Sequence, residues 1–418
     1  MNSWIWLRRD GLLVVFLFAR SLAYSQVLLD PALRLHRSDL AGLESDALRD
    51  ELPCRVTPEE PVLRFDLRFH AGYTVAVPVK HLAPGGDQLQ VRVRITPIAG
   101  EANEVLMTDR LNVPAIPEDA KGFGVFPGGF ALGPGRYRVD WLMRDGQGRY
   151  CSSRWQAEAK LAGSERDLPV GLAPNTVAAL AEESHPAHTT QIGDGRDSLH
   201  LKILLNLAPA DTHRSVLDTQ ELEVLRSLLQ NIVRQWQFRS FTLVAFNIHT
   251  QKVIHRQENV PHIDMLSLKA AIENSDAGTI NYRSLFDPRS ESKSIGRLLA
   301  DELGAGMPQP DVVVVAGPKA SVDGKVPVEQ LKDLGETRFP IFYFSHVADP
   351  AQNPFRDSIS AALKALKTTT EFKITQPRDM GVAIRQVMSW VSTRSSTGLR
   401  TSQNAGRTEY AGHKVGFN

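Results

Sequence analysis

Ser345-His346, with Asp349 three residues on, puts a hydroxyl, an imidazole and a carboxylate next to the apolar run Phe339–Phe344. Those groups are the inventory for nucleophilic acyl transfer. The carboxyl end of a buried strand is also where α/β enzymes place their sites. Residues so close in sequence do not easily form a triad, however, and no Gly-x-Ser-x-Gly elbow occurs in the chain. We therefore expect polar loop residues here, with an envelope hydrolase acting through the loop near Ser345 as the alternative. His249, His255 and His262 lie close together, with Asp264 beside them. On a hairpin His249 and His255 could face each other and hold zinc. No helix-type histidine spacing supports this, so solvated loop histidines are expected. His185 and His188 carry still less. Gly317-Pro-Lys-Ala-Ser-Val-Asp-Gly-Lys325 follows a buried run but misses the phosphate-loop pattern, because Val326 follows the lysine and Pro318 lacks an N–H. It reads as a surface turn.

The chain has two cysteines, Cys54 and Cys151. A four-cysteine zinc site and a disulfide-dense scaffold are thereby excluded. Lys+Arg total 48 against 47 Asp+Glu, a net charge of +1, so there is no basic field and no expectation of nucleic-acid binding. Residues 1–25 read as a secretory signal peptide. Arg8-Arg9 is followed by an apolar run from Gly11 to Ala19, and small residues at Ala23 and Ser25 suit cleavage near Ser25–Gln26. The run is too short to span a membrane, where about 20 residues are needed. An uncleaved anchor is the other reading. No stable membrane span is expected once the signal is cleaved. The protein should be exported, periplasmic or secreted, where disulfides are permitted, and a Cys54–Cys151 disulfide is expected. Two free buried thiols are the alternative.

These residues must be positioned by a chain whose patterning changes along its length. Residues 26–52 form a leader with short helices around Leu40–Arg49. Residues 53–162 alternate apolar and polar side chains in Val62–Phe69, Gly72–Val79, Leu89–Ile95 and Arg136–Met143. Turns are expected at Pro84–Gly86, Pro127–Gly129, Gly133–Gly135 and Asp145–Arg149. This predicts an immunoglobulin-like β-sandwich with Tyr137, Trp141 and Trp155 as core or corner aromatics. Residues 163–198, rich in Pro, Ser, Thr, Gly and His, read as a linker.

From Leu199 strands and helices alternate. Strands are expected at Leu199–Leu207, Ser240–Asn247, Lys252–Arg256, Pro310–Ala316, Phe339–Phe344 and Phe372–Ile374. Helices are expected at Asp218–Arg234, Asp264–Asn274, Ser290–Leu303, Phe355–Leu366 and Pro377–Arg394. Apolar strands between amphipathic helices predict a doubly wound, mostly parallel sheet over 199–394. Residues 395–418 read as a disordered tail.

This order of first strand, long helix, Phe241–Asn247/Lys252–Arg256 hairpin and Ala277-Gly-Thr-Ile280 stretch resembles a von Willebrand factor A-type domain. Metal-binding members carry Asp-x-Ser-x-Ser after the first strand, a threonine in the Gly-Thr loop and an aspartate ending the central strand. The resemblance places those positions at Asn206, Ala208, Ala210, Thr279 and Gly317, of which only Thr279 matches. A hard cation needs several carboxylate and hydroxyl oxygens. The expectation is a degenerate site that holds no metal and no cofactor, with Asp211 the one nearby carboxylate. The implied function is non-catalytic binding of an unknown protein partner at the cell envelope.

Overall fold

The computed structural model describes residues 6–9, 12–15, 27–28, 37–44, 48–180 and 199–405, apart from 84, 100–103, 118, 212–213, 215, 234–237, 276–288, 305–308, 334–336 and 348–354. The chain divides into two units, Met1–Thr189 and Thr190–Asn418.

In the first unit, β1 (Trp6–Arg9) and β2 (Leu12–Val15) pair as an antiparallel ribbon. They lie within the expected signal segment, whose other residues fall outside the described ones. Next come β3 (Val27–Leu28), α1 (Arg37–Glu44), β4 (Arg55–Leu63), β5 (Phe69–Pro78), β6 (Asp87–Pro97) and β7 (Val105–Val113). They are followed by β8 (Phe123–Leu132), β9 (Gly135–Arg144), β10 (Tyr150–Ala159) and β11 (Val177–Ala179). The strands form a five-stranded sheet of order β10-β9-β6-β7-β3 and a four-stranded sheet of order β11-β8-β5-β4, antiparallel throughout. One core joins them. Phe69, Ala71, Tyr73, Val75 and Val77 alternate inward along β5 and meet Val91, Val93, Val139 and Trp141 of the other sheet. Cys54, just before β4, is disulfide-bonded to Cys151 of β10 with 6.2 Å between Cα atoms, which ties the two sheets together.

Several expectations are corrected here. Val62–Phe69 is not one strand. β4 ends at Leu63, and Leu67 takes a left-handed φ of 60° in a turn held by the buried Asp66–Arg68 ion pair. Pro127–Gly129 is not a turn but the middle of β8, opposite Thr74, Tyr73 and Gly72. Its glycines answer packing rather than turning, since a Cβ at Gly128 would lie 2.2 Å from the Tyr73 ring. Described residues of the leader and linker segments also pack on the sheets. Leu52 is fully buried in the core, α1 lies on the five-stranded sheet with Leu43 against Leu142 and Tyr150, and β11 adds an edge strand to β8.

The second unit runs β12 (Leu199–Asn206), α2 (Thr219–Val233), β13 (Phe238–Asn247), β14 (Lys252–Val260), α3 (Met265–Glu273) and α4 (Ser290–Leu303). It continues through β15 (Val312–Pro318), α5 (Glu329–Asp333), β16 (Ile341–His346), α6 (Ser358–Leu363), β17 (Thr369–Ile374) and α7 (Pro377–Ala405). The sheet order is β14-β13-β12-β15-β16-β17, parallel except for the edge strand β14. Every residue of β15 and β16 is buried, as expected for central parallel strands covered on both faces. One face packs Leu204, Val313, Val315 and Tyr343 against Ile295 and Leu299 of α4 and Ile359 of α6. The alternate residues face α7, where Phe342 meets Trp390 edge-on. On α2, Leu225, Leu229 and Ile232 are buried, whereas Leu222 is exposed and Trp236 lies outside the described residues. Helix α7 runs past the expected end at Arg394 to Ala405. No proline interrupts residues 395–405, so the backbone has no barrier to continuing the helix. No helix among the described residues is long and apolar enough to cross a membrane.

Candidate functional site

The strands reverse their order of addition between β12 and β15, and in open α/β sheets ligands bind at the carboxyl ends of the strands at that point. The strands end there in Asn206 and in Gly317-Pro318. Asn206 is fully buried, and its Oδ1 accepts the Ala208 N–H at 3.1 Å. Gly317 answers the closeness of the two strands, because a Cβ there would come 2.6 Å from Asn206 Cβ. Neither Ala208 nor Ala210 offers a side-chain oxygen, and Thr279 lies outside the described residues.

The loop after β12 is organised by α2. Asp218 and Glu221 form a reciprocal cap: Asp218 Oδ1 accepts the Glu221 N–H at 2.7 Å, and Glu221 Oε2 accepts the Asp218 N–H at 2.8 Å. The other oxygen of the buried Glu221 accepts the Ala210 N–H at 3.0 Å. Arg214 then reaches Asp218 at 3.0 Å, Glu221 at 3.4 Å and Asp211 at 3.5 Å. Burial works against the Asp218 carboxylate, but the Glu221 N–H and the Arg214 guanidinium outweigh it and hold its pKa down. Three carboxylates thus converge on a guanidinium. Asp211, the spare oxygen donor of the sequence reading, belongs to this cluster. The sequence carries a signal for it, since Asp218-x-x-Glu221 ahead of an apolar run is a capping pattern. Arg214 has no such signal, because its role depends on how the loop folds back.

Ser345 and His346 are both buried, but alternation along β16 turns them to opposite faces of the sheet. Ser345 Oγ donates to Asp357 Oδ2 at 2.7 Å, as does Tyr343 Oη at 2.7 Å. Asp357 is the N-cap of α6, accepting the N–H groups of Ile359 and Ser360 at 3.0 and 3.2 Å. Burial pushes its pKa up, against all four donors. His346 Nδ1 pairs with the Ile374 carbonyl at 3.0 Å. Burial lowers its pKa, opposed by that carbonyl and by Glu221 and Asp218. Asp349 lies outside the described residues. Serine and histidine are therefore not brought together, and the serine hydroxyl is engaged in holding a helix cap.

The histidines of the β13–β14 hairpin separate as well. His249 Nδ1 lies 3.6 Å from Glu291 and its Nε2 3.3 Å from the Pro209 carbonyl, while His255 Nε2 pairs with Gln257 at 2.8 Å. Among the described residues no group of three or more His, Cys, Asp or Glu side chains is placed to hold a metal ion. The Gly317–Lys325 segment leaves β15 through a Lys319 N–H bond to the His346 carbonyl at 2.9 Å, and Gly324 has a φ of +82°. The arrangement is that of a turn.

No family model and no curated protein matches the chain. Among solved structures, a superoxide reductase (neelaredoxin) from Ignicoccus hospitalis is similar at 13% identity, with a TM-score of 0.18, over 26% of this chain and 80% of that one. A β-glucosidase from Listeria innocua in complex with gluconolactone is similar at 7% identity, with a TM-score of 0.17, over 26% of this chain and 16% of that one.

Proposed function

We propose that the protein is an exported, non-catalytic interaction protein. In this reading the second unit is a metal-free von Willebrand factor A-like domain, the first is an immunoglobulin-like β-sandwich, and the partner is a protein at the cell envelope. The observation that carries the reading is Arg214. Its guanidinium pairs with three carboxylates beside the degenerate strand-end positions and stands where a hard cation would gather oxygens in metal-binding members of that family. The strand order and the single antiparallel edge strand β14 support it further. For the first unit, support comes from Tyr137, whose hydroxyl bonds back to the Gly133 carbonyl at 2.7 Å as a tyrosine corner does. An inter-sheet disulfide beside the buried Trp141 supports it too. Export rests on the amino-terminal sequence alone. Val216 and Phe355 are exposed on the segments that follow β12 and β16, and they offer apolar contact on the strand-end surface.

Metal analysis combined with capture from the native envelope tests this. The purified protein should carry no stoichiometric Mg²⁺ or Ca²⁺. Capture should survive chelator and be lost in Val216→Asp/Phe355→Asp. Stoichiometric metal or chelator-sensitive capture would overturn the metal-free reading. Capture that the double substitution leaves unchanged would overturn the strand-end surface.

A further inference from the structure

We propose that the outer face of the five-stranded sheet carries an oxyanion site, built by Arg92, Arg110 and Arg144 around Gln90, that takes a phosphate or sulfate group. The register puts these residues together. Gln90 of β6 stands opposite Arg110 of β7 on one side and Arg144 of β9 on the other, and Arg92 is the next residue on that face of β6. The inner face of the same strands is the core, so the arginines are held on a rigid support.

Their charge is not balanced. Asp39 of α1 is the carboxylate that reaches the group, at 3.8 Å from Arg92 Nε and 3.6 Å from Arg144 Nη1, both longer than a charge-assisted hydrogen bond of about 2.7–2.9 Å. Arg110 is exposed and forms no ion pair among the described residues. Among the described residues two positive charges are therefore left over, the complement of a phosphate or sulfate dianion. The neutral partners orient the guanidiniums without discharging them. Gln90 Oε1 accepts from Arg144 Nη2 at 3.2 Å and from Arg92 Nη2 at 3.4 Å, and Thr108 Oγ1 and the Val91 carbonyl accept from Arg92 Nη1. Arg92 Nε is buried with no hydrogen-bond partner. Burial lowers the Arg92 pKa; Asp39 opposes that, while Arg144 and Arg110 add to it. A bound anion relieves the mutual repulsion of the guanidiniums. Guanidinium forks suit tetrahedral oxyanions because two N–H groups meet two oxygens at once.

The neighbouring carboxylate does not complete the group. Asp140 is engaged by Arg94 at 3.1 Å, Arg138 at 3.3 Å and Arg154. The basic group is therefore local to Arg92, Arg110 and Arg144, beside the Asp140 cluster and the apolar contact of α1 with Leu142 and Tyr150.

Calorimetric titration of the full chain at low salt, with inorganic phosphate in one arm and sulfate in the other, tests the proposal. Saturable binding of at least one anion is expected, and the tighter arm names the ester class. Arg110→Ala and Arg144→Gln should each weaken it about tenfold, the equivalent of roughly 1.4 kcal/mol. Arg136→Ala, exposed on the same face of β9 but outside the group, should leave it unchanged. Should Arg144→Gln fail to fold, Arg110→Ala still decides, because its side chain supports nothing else. Lack of saturable binding in both arms, or equal losses in Arg110→Ala and Arg136→Ala, would overturn the site.

Discussion

His200 and His346 show how burial sets the behaviour of single residues. His200 is held between Ser240 Oγ at 2.7 Å and Thr242 Oγ1 at 3.1 Å. Burial lowers its pKa, with Asp311 opposing and Lys202 adding to the effect. His346 is likewise lowered by burial. Both imidazoles resist protonation in the folded chain, whereas in the unfolded chain they titrate near 6.5. Below that pH the unfolded state binds more protons, so stability falls as pH drops, by at most about 1.4 kcal/mol per pH unit for each histidine. Above it their contribution is fully present. Urea midpoints should therefore decrease between about pH 7 and about pH 5.5, and His200→Gln/His346→Gln should shrink the decrease. A variant that retains the whole decrease would show that other groups cause it. Ser345 teaches the complementary lesson. Its hydroxyl looks reactive beside a histidine in sequence, yet pleating separates the two and a helix cap engages the serine.

At the scale of elements, the antiparallel edge strand β14 is fastened to α4 by a charge cluster. Glu302, near the end of α4, is buried and receives Lys202 Nζ at 2.7 Å and the Arg256 guanidinium of β14. Burial alone would raise the Glu302 pKa, but the hydrogen bonds from Arg256 and Lys202 win and lower it. Removing one partner of a buried pair strands the other charge, at a cost of about 3 kcal/mol. Glu302→Leu should destabilise the second unit by that amount in urea unfolding. Lys202→Met/Glu302→Leu should recover at least half, because no buried charge is then left alone. If the double variant is no more stable than the single one, the loss comes from packing rather than charge. An edge strand of the first unit is protected differently. β4 carries Pro58 and Pro61, which cannot donate to an added strand.

At the scale of the whole molecule, the two units are stabilised by different means. The first closes two antiparallel sheets over one core and joins them with a disulfide spanning 97 residues. In the chain-entropy model a loop of that length is worth about 4–5 kcal/mol. Cys54→Ala/Cys151→Ala should lower the first unit's unfolding free energy by roughly this much, read by tryptophan fluorescence during guanidinium unfolding. A loss under about 1 kcal/mol would mean that the sheets hold together without the cross-link. The second unit contains no cysteine, and its all-buried central strands do the corresponding work.

Sequence alone determined what depends on local period and chemistry. Alternation in Gly72–Val79 and Leu89–Ile95 marked β5 and β6, and the apolar runs marked β15 and β16. Ser290–Leu303 marked α4 to the residue, because pleat and helix periods are properties of neighbouring residues. The Asn206, Ala208, Ala210 and Gly317 positions could likewise be read as lacking carboxylates before any fold was known. Tertiary structure decided whatever depends on residues far apart in the chain. Pro127-Gly-Gly129 reads locally as a turn, yet it is strand because Tyr73 needs the space above Gly128. Leu52 and Val177–Ala179 read as leader and linker but complete a core and a sheet edge. Arg214 meets its three carboxylates, and Arg92, Arg110 and Arg144 meet one another, only once a loop folds back and three strands come into register. Charge convergence of that kind is a property of distance in space, which spacing along the chain does not encode.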